Sequence, residues 1–99
     1  LWPIFTGERG EYEIARGQDP TRYLAAMQQF ANAGGMIPEQ VWDQADPTAS
    51  GFVFGSGTGS ATPLAWSMAQ FVRLVVCAEE KRIVETPSVV AEHFQKIKK

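Results

Sequence analysis

Apolar residues recur at helical spacing in four stretches of this chain, and one long stretch between the second and third has no period at all. The first stretch predicts a helix from about Pro3 to Arg16, with Pro3 at the first helical position and Gly17 as the stop. Gly7 and Gly10 fall inside it. Each costs about 1 kcal/mol against alanine, so this helix needs tertiary support. The second opens with Asp19 as N-cap ahead of Pro20, runs to about Asn32 and ends at Gly34-Gly35. Tyr23, Met27, Phe30 and Ala31 share one of its faces, with Leu24 beside them.

The third opens at Thr62-Pro63 and continues to about Lys81. Leu64, Met68, Phe71, Val72 and Val75 form one stripe, and the opposite side, Trp66, Ala69 and Val76, is apolar too. Arg73 is the only charge from Pro63 to Ala78. A helix apolar all round belongs at the centre of something larger than this chain. On its own it would expose an apolar patch that drives self-association or docking of a partner. The fourth opens at Thr86-Pro87 and carries Val89, Val90, Phe94 and Ile97 towards a Lys tail.

Between the second and third helices, Ala33 to Ala61 shows no clear period. Aperiodic segments this long are uncommon in compact domains and are usually functional. The first half holds Gly34-Gly35-Met36-Ile37-Pro38-Glu39-Gln40-Val41-Trp42-Asp43, which sets one carboxylate between a stiffening proline and an amide, with an indole just beyond. A positioned carboxylate, nearby donors and an aromatic platform are what a sugar-hydrolysing site needs. The plainer reading is a Gly/Pro turn with a solvated glutamate. The second half, Gly51 to Ser60, is glycine-rich and alternates apolar with small residues. A short strand or hairpin at Phe52–Phe54 is one expectation.

The run Gly55-Ser56-Gly57-Thr58-Gly59-Ser60 precedes a helix, which raises a phosphate cradle. Its spacing is neither G-x-G-x-x-G nor a P-loop, and no βαβ unit surrounds it. A tight turn that delivers Ser60 and the helix start is the simpler account. Trp2 and Trp66 fall near helix starts and Trp42 falls in the Glu39 loop. Together they would suit one concave rim with aromatic walls. Glu8 and Arg9 read either as a solvated pair or as a buried polar pair on that rim. Asp43 and Asp46 read as solvated or turn-capping residues.

Composition changes little. The 99 residues suffice for one small domain, 1–99. Hydrophobic residues make up 44% and charged residues 20%, an ordinary globular balance. Net charge is −2 and there is no basic stripe, which argues against nucleic acid. Lys96-Ile97-Lys98-Lys99 suits a helix C-terminal dipole. Cys77 stands alone in an apolar run and reads as a small buried hydrophobe. No His/Cys spacing or calcium-loop pattern calls for a metal, no motif calls for a cofactor, and no apolar run is long enough to cross a bilayer.

Three motifs in order, Leu1-Trp2-Pro3-Ile4-Phe5-Thr6-Gly7-Glu8-Arg9-Gly10, Gly35-Met36-Ile37-Pro38-Glu39-Gln40-Val41-Trp42-Asp43 and Gly59-Ser60-Ala61-Thr62-Pro63-Leu64-Ala65-Trp66-Ser67, resemble the C-terminal part of the catalytic domain of bacterial glucoamylases and glucodextranases, family 15 glycoside hydrolases. The resemblance spans about Leu1 to Val76. It implies an all-α fold, the C-terminal part of an (α/α)6 barrel, with the third helix as an inner helix. It also implies exo-acting, inverting hydrolysis of α-glucosidic bonds in an α-glucan or oligosaccharide. Glu39 matches the family's general base and Ser60 a residue that hydrogen-bonds that base. Trp66 matches a wall of the glucose pocket, Trp2 an aromatic near the next sugar site, and Gln40 stands beside the base as a substrate-binding candidate. The family's general acid lies upstream of this region and nothing here matches it. The remainder of the catalytic domain is therefore an expected partner, and the chain alone is not expected to hydrolyse efficiently. Two other readings stay open: a non-catalytic helical module that binds a sugar or a partner, and a phosphate-binding domain built on the glycine run.

Overall fold

The computed structural model describes residues 1–45 and 51–97; Asp46 and the tail residues Lys98 and Lys99 fall outside them. The chain is all-α, with α1 at Pro3–Ala15, α2 at Thr21–Phe30, α3 at Ala65–Glu80 and α4 at Ser88–Ile97. The helices α1, α2 and α3 pack on one another, with α1 and α3 forming the most extensive contact. Among the described residues, α4 packs against none of the other three.

The glycines of α1 explain their own cost. A Cβ on Gly7 would stand 2.4 Å from Cγ of Gln70, and one on Gly10 would stand 2.7 Å from Cδ1 of Leu74. Lost helix propensity is therefore exchanged for a close α1–α3 approach. Just beyond the glycines the contact is polar. Gln70 Nε2 donates to Glu11 Oε2 at 3.0 Å, and Cys77 Sγ donates to Glu11 Oε1 at 3.4 Å. Arg73 reaches Glu11 at 3.7 Å and Glu85 at 2.8 Å. Cys77 is thus more than an apolar filler: it is a donor to a buried carboxylate, and burial pushes its thiol pKa up.

The face that α3 buries differs from its most hydrophobic stripe. Ser67, Gln70, Leu74 and Cys77 are the buried positions. Val72 and Val75 of the expected stripe are exposed, while Met68 and Phe71 pack against the core edge. Polar Gln70 turns inward because Glu11 and Gly7 of α1 offer it a partner and close space, and Ser67 because Pro38 O accepts its hydroxyl. Among the described residues, nothing covers the apolar side chains left outside. The α2 face behaves as its periodicity predicts: Met27 is fully buried, and Tyr23, Leu24, Phe30 and Ala31 pack around the core of Ile14, Met27, Ile37, Leu74 and Cys77. Asp19 sits one residue earlier than a formal cap but does its work. Its carboxylate accepts the Thr21 N–H at 3.0 Å and the Thr21 hydroxyl at 2.6 Å, which holds its pKa below the ordinary carboxylate value.

The long segment after α2 is aperiodic but far from loose. Asn32 Oδ1 accepts the N–H groups of Gly34 and Met36, and Gly35 turns the chain at φ +76°. Residues 37–42 then run, with a bend at Glu39, between two neighbours. On one side the Leu1 amino group donates to Val41 O at 2.8 Å and Val41 N–H to Leu1 O at 2.9 Å. On the other, Glu39 N–H donates to Ala61 O, Trp42 N–H to Ser56 O, and Gly55 N–H to Trp42 O. Ile37 and Val41 are buried beneath this rail. Pro38 lacks an N–H, and glycines dominate the facing segment, so the pairing reduces to an isolated bridge between Val41 and Gly57.

The strand expected at Phe52–Phe54 does not form. Val53 and Phe54 point to solvent, Phe52 packs on Trp42 at 5.1 Å, and a turn closes from Ser56 N–H to Val53 O. α3 also starts later than Pro63, because Leu64 is still extended and gives its N–H to Ile37 O.

Candidate functional site

Glu39 lies in the non-helical rail, half-buried, and opens into a cavity of about 380 Å³. Trp2 and Phe5 at the start of α1, Glu8 one turn on, and Leu64 and Trp66 at the start of α3 form its other walls. The fold explains this meeting. Leu1 pairs with Val41, so the α1 start is fastened beside the rail. Leu64 pairs with Ile37, so the α3 start is fastened to it as well. Trp66 is 71% exposed and Trp2 46%, so the indoles stand as open walls and not as core.

The backbone around Glu39 is held at several points. Its own N–H donates to Ala61 O at 2.8 Å, and Ser67 Oγ donates to Pro38 O at 3.4 Å. Ser60 does not take the role expected of it. Its hydroxyl accepts the Gln40 N–H at 3.0 Å instead of contacting the carboxylate. The chain turns at Gly59, φ +79°, and this brings Ser60 alongside the backbone of Gln40. Ser60 thus fixes the peptide that follows the glutamate. Gln40 is the side chain that touches the acid: its Nε2 donates to Glu39 Oε1 at 3.3 Å.

Other expectations divide. Trp42 is not on the rim; it packs on Phe52, away from the cavity that Trp2 and Trp66 share. Glu8 and Arg9 are not a pair. Arg9 turns to Glu13 at 2.8 Å, whereas Glu8 faces the cavity. Asp43 is exposed and accepts a hydrogen bond from Gln44. The glycine run gives the N–H groups of Gly55, Ser56 and Thr58 to Trp42 O, Val53 O and Gln40 O, which takes half of the donors a phosphate cradle would need. Among the described residues, no group of three or more His, Cys, Asp or Glu converges as a metal site, and no helix is long and apolar enough to cross a membrane.

Sequence reading missed Phe5, Leu64 and the separation of Glu8 from Arg9. One signal was present: Trp2, Phe5 and Glu8 are spaced three apart, which stacks them on one face of a helix. A larger hollow, about 460 Å³, lies between the far ends of the helices beside Ile14, Asp19, Leu24 and Lys81. Asp19 there is already engaged in capping.

No family model matches the chain. It is 45% identical over 94 residues, 95% of its length, to a glucoamylase from Clostridium sp. (strain G0005), and spans 12% of that protein. Its fold superimposes with a TM-score of 0.81, at 44% identity, on a bacterial glucoamylase solved in complex with acarbose, covering 94% of this chain and 12% of that one. That neighbour is an (α/α)6 barrel enzyme. Over nearly its whole length, in sequence and in fold, this chain resembles a segment of bacterial glucoamylase, a glycoside hydrolase.

Proposed function

We propose that this chain supplies one wall and the general base of an inverting, exo-acting α-glucosidase, with the general acid coming from residues outside it. The observation that carries this reading is Glu39 on a backbone-fastened rail, opening into a cavity walled by Trp2 and Trp66. An indole face offers a sugar ring apolar contact, and the carboxylate is the group that takes a proton from water. In this mechanism a water sits between Glu39 and the anomeric carbon. Glu39 accepts its proton as the oxygen attacks, while an acid on the opposite side protonates the leaving oxygen. The two carboxyls of an inverting pair stand about 6.5–9.5 Å apart to admit that water. Gln40, bonded to Glu39 Oε1, orients the carboxylate. Ser60 acts one step back, by holding the Gln40 peptide. Acarbose in the related glucoamylase supports an oligosaccharide as the ligand of this cavity.

The test is the anomer released first. The full-length protein, given maltotriose and followed by proton NMR from the first minute, should release β-glucose ahead of mutarotation. Initial release of α-glucose would replace the inverting mechanism with a retaining one.

A further inference from the structure

Glu8 is exposed and lies outside the hydrophobic core. On α1 the face formed by Gly7, Gly10, Glu11 and Ile14 is buried against its neighbours, and Glu8 lies on a different side of the helix, one turn after Phe5. Among the described residues, no ion pair or hydrogen bond engages its carboxylate, and the adjacent cation, Arg9, is committed to Glu13 at 2.8 Å. This carboxylate, unpaired among the described residues, stands in the same cavity as Trp2, Glu39 and Trp66. A second negative charge beside the base repels anions and accepts hydrogen bonds from hydroxyls, which matches a neutral, hydroxyl-rich ring.

We propose that Glu8 is a substrate-binding residue that accepts hydrogen bonds from hydroxyls of the sugar lying against Trp2, and that its charge excludes sugars bearing a carboxylate. This rests on the glucosidase reading. Glu8 takes no part in proton transfer. Its contribution is affinity and selection, made before the bond breaks. Phe5, tilted at 45° to Trp2 with ring centroids 6.3 Å apart, extends the apolar surface of the same subsite, so the charged acceptor stands next to an aromatic wall.

The experiment uses the full-length protein and the variants Glu8→Ala, Glu8→Gln and Glu39→Gln, with maltotriose and with a maltooligosaccharide whose reducing end is oxidised to the aldonic acid. Glu8→Ala should raise KM for maltotriose about tenfold or more, the loss of one charge-assisted hydrogen bond, with kcat within about threefold of the parent. Glu8→Gln should narrow the preference for neutral over oxidised substrate by a similar factor. Acarbose titrated calorimetrically into Glu39→Gln with and without Glu8→Ala should show the same weakening without turnover. Unchanged KM and unchanged discrimination in both Glu8 variants, with Glu39→Gln inactive, would overturn this role for Glu8 and leave the glucosidase reading intact. A fall in kcat at constant KM would also overturn it, by placing Glu8 in the chemical step. A parent protein that neither hydrolyses maltotriose nor binds acarbose would remove the glucosidase reading and this inference with it.

Discussion

Glu39→Gln in the full-length protein should lower kcat on maltotriose by about 10²–10⁴-fold, the usual share of general acid–base assistance. The amide keeps the shape of the side chain and the contact with Gln40 but cannot take the proton of the attacking water. Affinity for acarbose should stay close to that of the parent, because Trp2, Trp66 and the fastened rail are untouched. Equal loss in kcat and kcat/KM is the signature of an interaction made only in the transition state. Near-normal turnover would remove Glu39 from the chemistry.

The second large effect is on stability and turns on which side of α3 faces the protein. Leu74 is fully buried against Gly10, so Leu74→Ala should cost about 2–5 kcal/mol in the isolated chain and in the full-length protein alike. Val72 is 60% exposed in this chain. Val72→Ala should therefore change the stability of the isolated chain by less than about 0.5 kcal/mol. In the full-length protein it should cost about 1 kcal/mol or more, because other helices of the barrel would cover it. Thermal unfolding of both variants in both settings checks this. Equal and small effects of Val72→Ala everywhere would mean that no further layer packs on α3.

The sequence made the helices legible because their signals are local. Pro3, Gly17, Asp19, Gly34 and Pro87 mark ends that differ from the observed ones by a few residues, and the α2 face follows from a 3.6-residue period. The packed face of α3 was illegible for a different reason. Hydrophobicity ranks Val72 and Val75 above Ser67 and Gln70, but the α1 glycines and Glu11 make the face that carries Gln70 the one that docks. Those partners lie about sixty residues away, and no window along the chain contains both.

The site was legible in its residue types and not in its wiring. Pro38-Glu39-Gln40 and the indoles of Trp2 and Trp66 could be named from motifs. That Ser60 would hold the Gln40 peptide and not the Glu39 carboxylate depends on the turn at Gly59 and on the register between two extended segments. A one-residue shift in such pairing changes which atom a hydroxyl meets. Trp42 was misplaced for a related reason. Its neighbour Phe52 is ten residues on, and the turn between Val53 and Ser56 that helps set their approach carries no strong pattern. Glu8 and Arg9 were paired because they adjoin, although neighbours in a helix point about 100° apart and seek partners three or four residues away.

The most direct test of the central claim is chemical rescue of Glu39→Ala in the full-length protein with sodium azide. Azide is already anionic and needs no base, and the shortened side chain leaves room for it where the water would attack. If Glu39 is the base of an inverting site, the slow variant should regain turnover as azide is added, and the product should be β-glucosyl azide, formed by attack on the face opposite the leaving group. Undiminished turnover of Glu39→Ala without azide, or rescue that yields α-glucosyl azide, would contradict it.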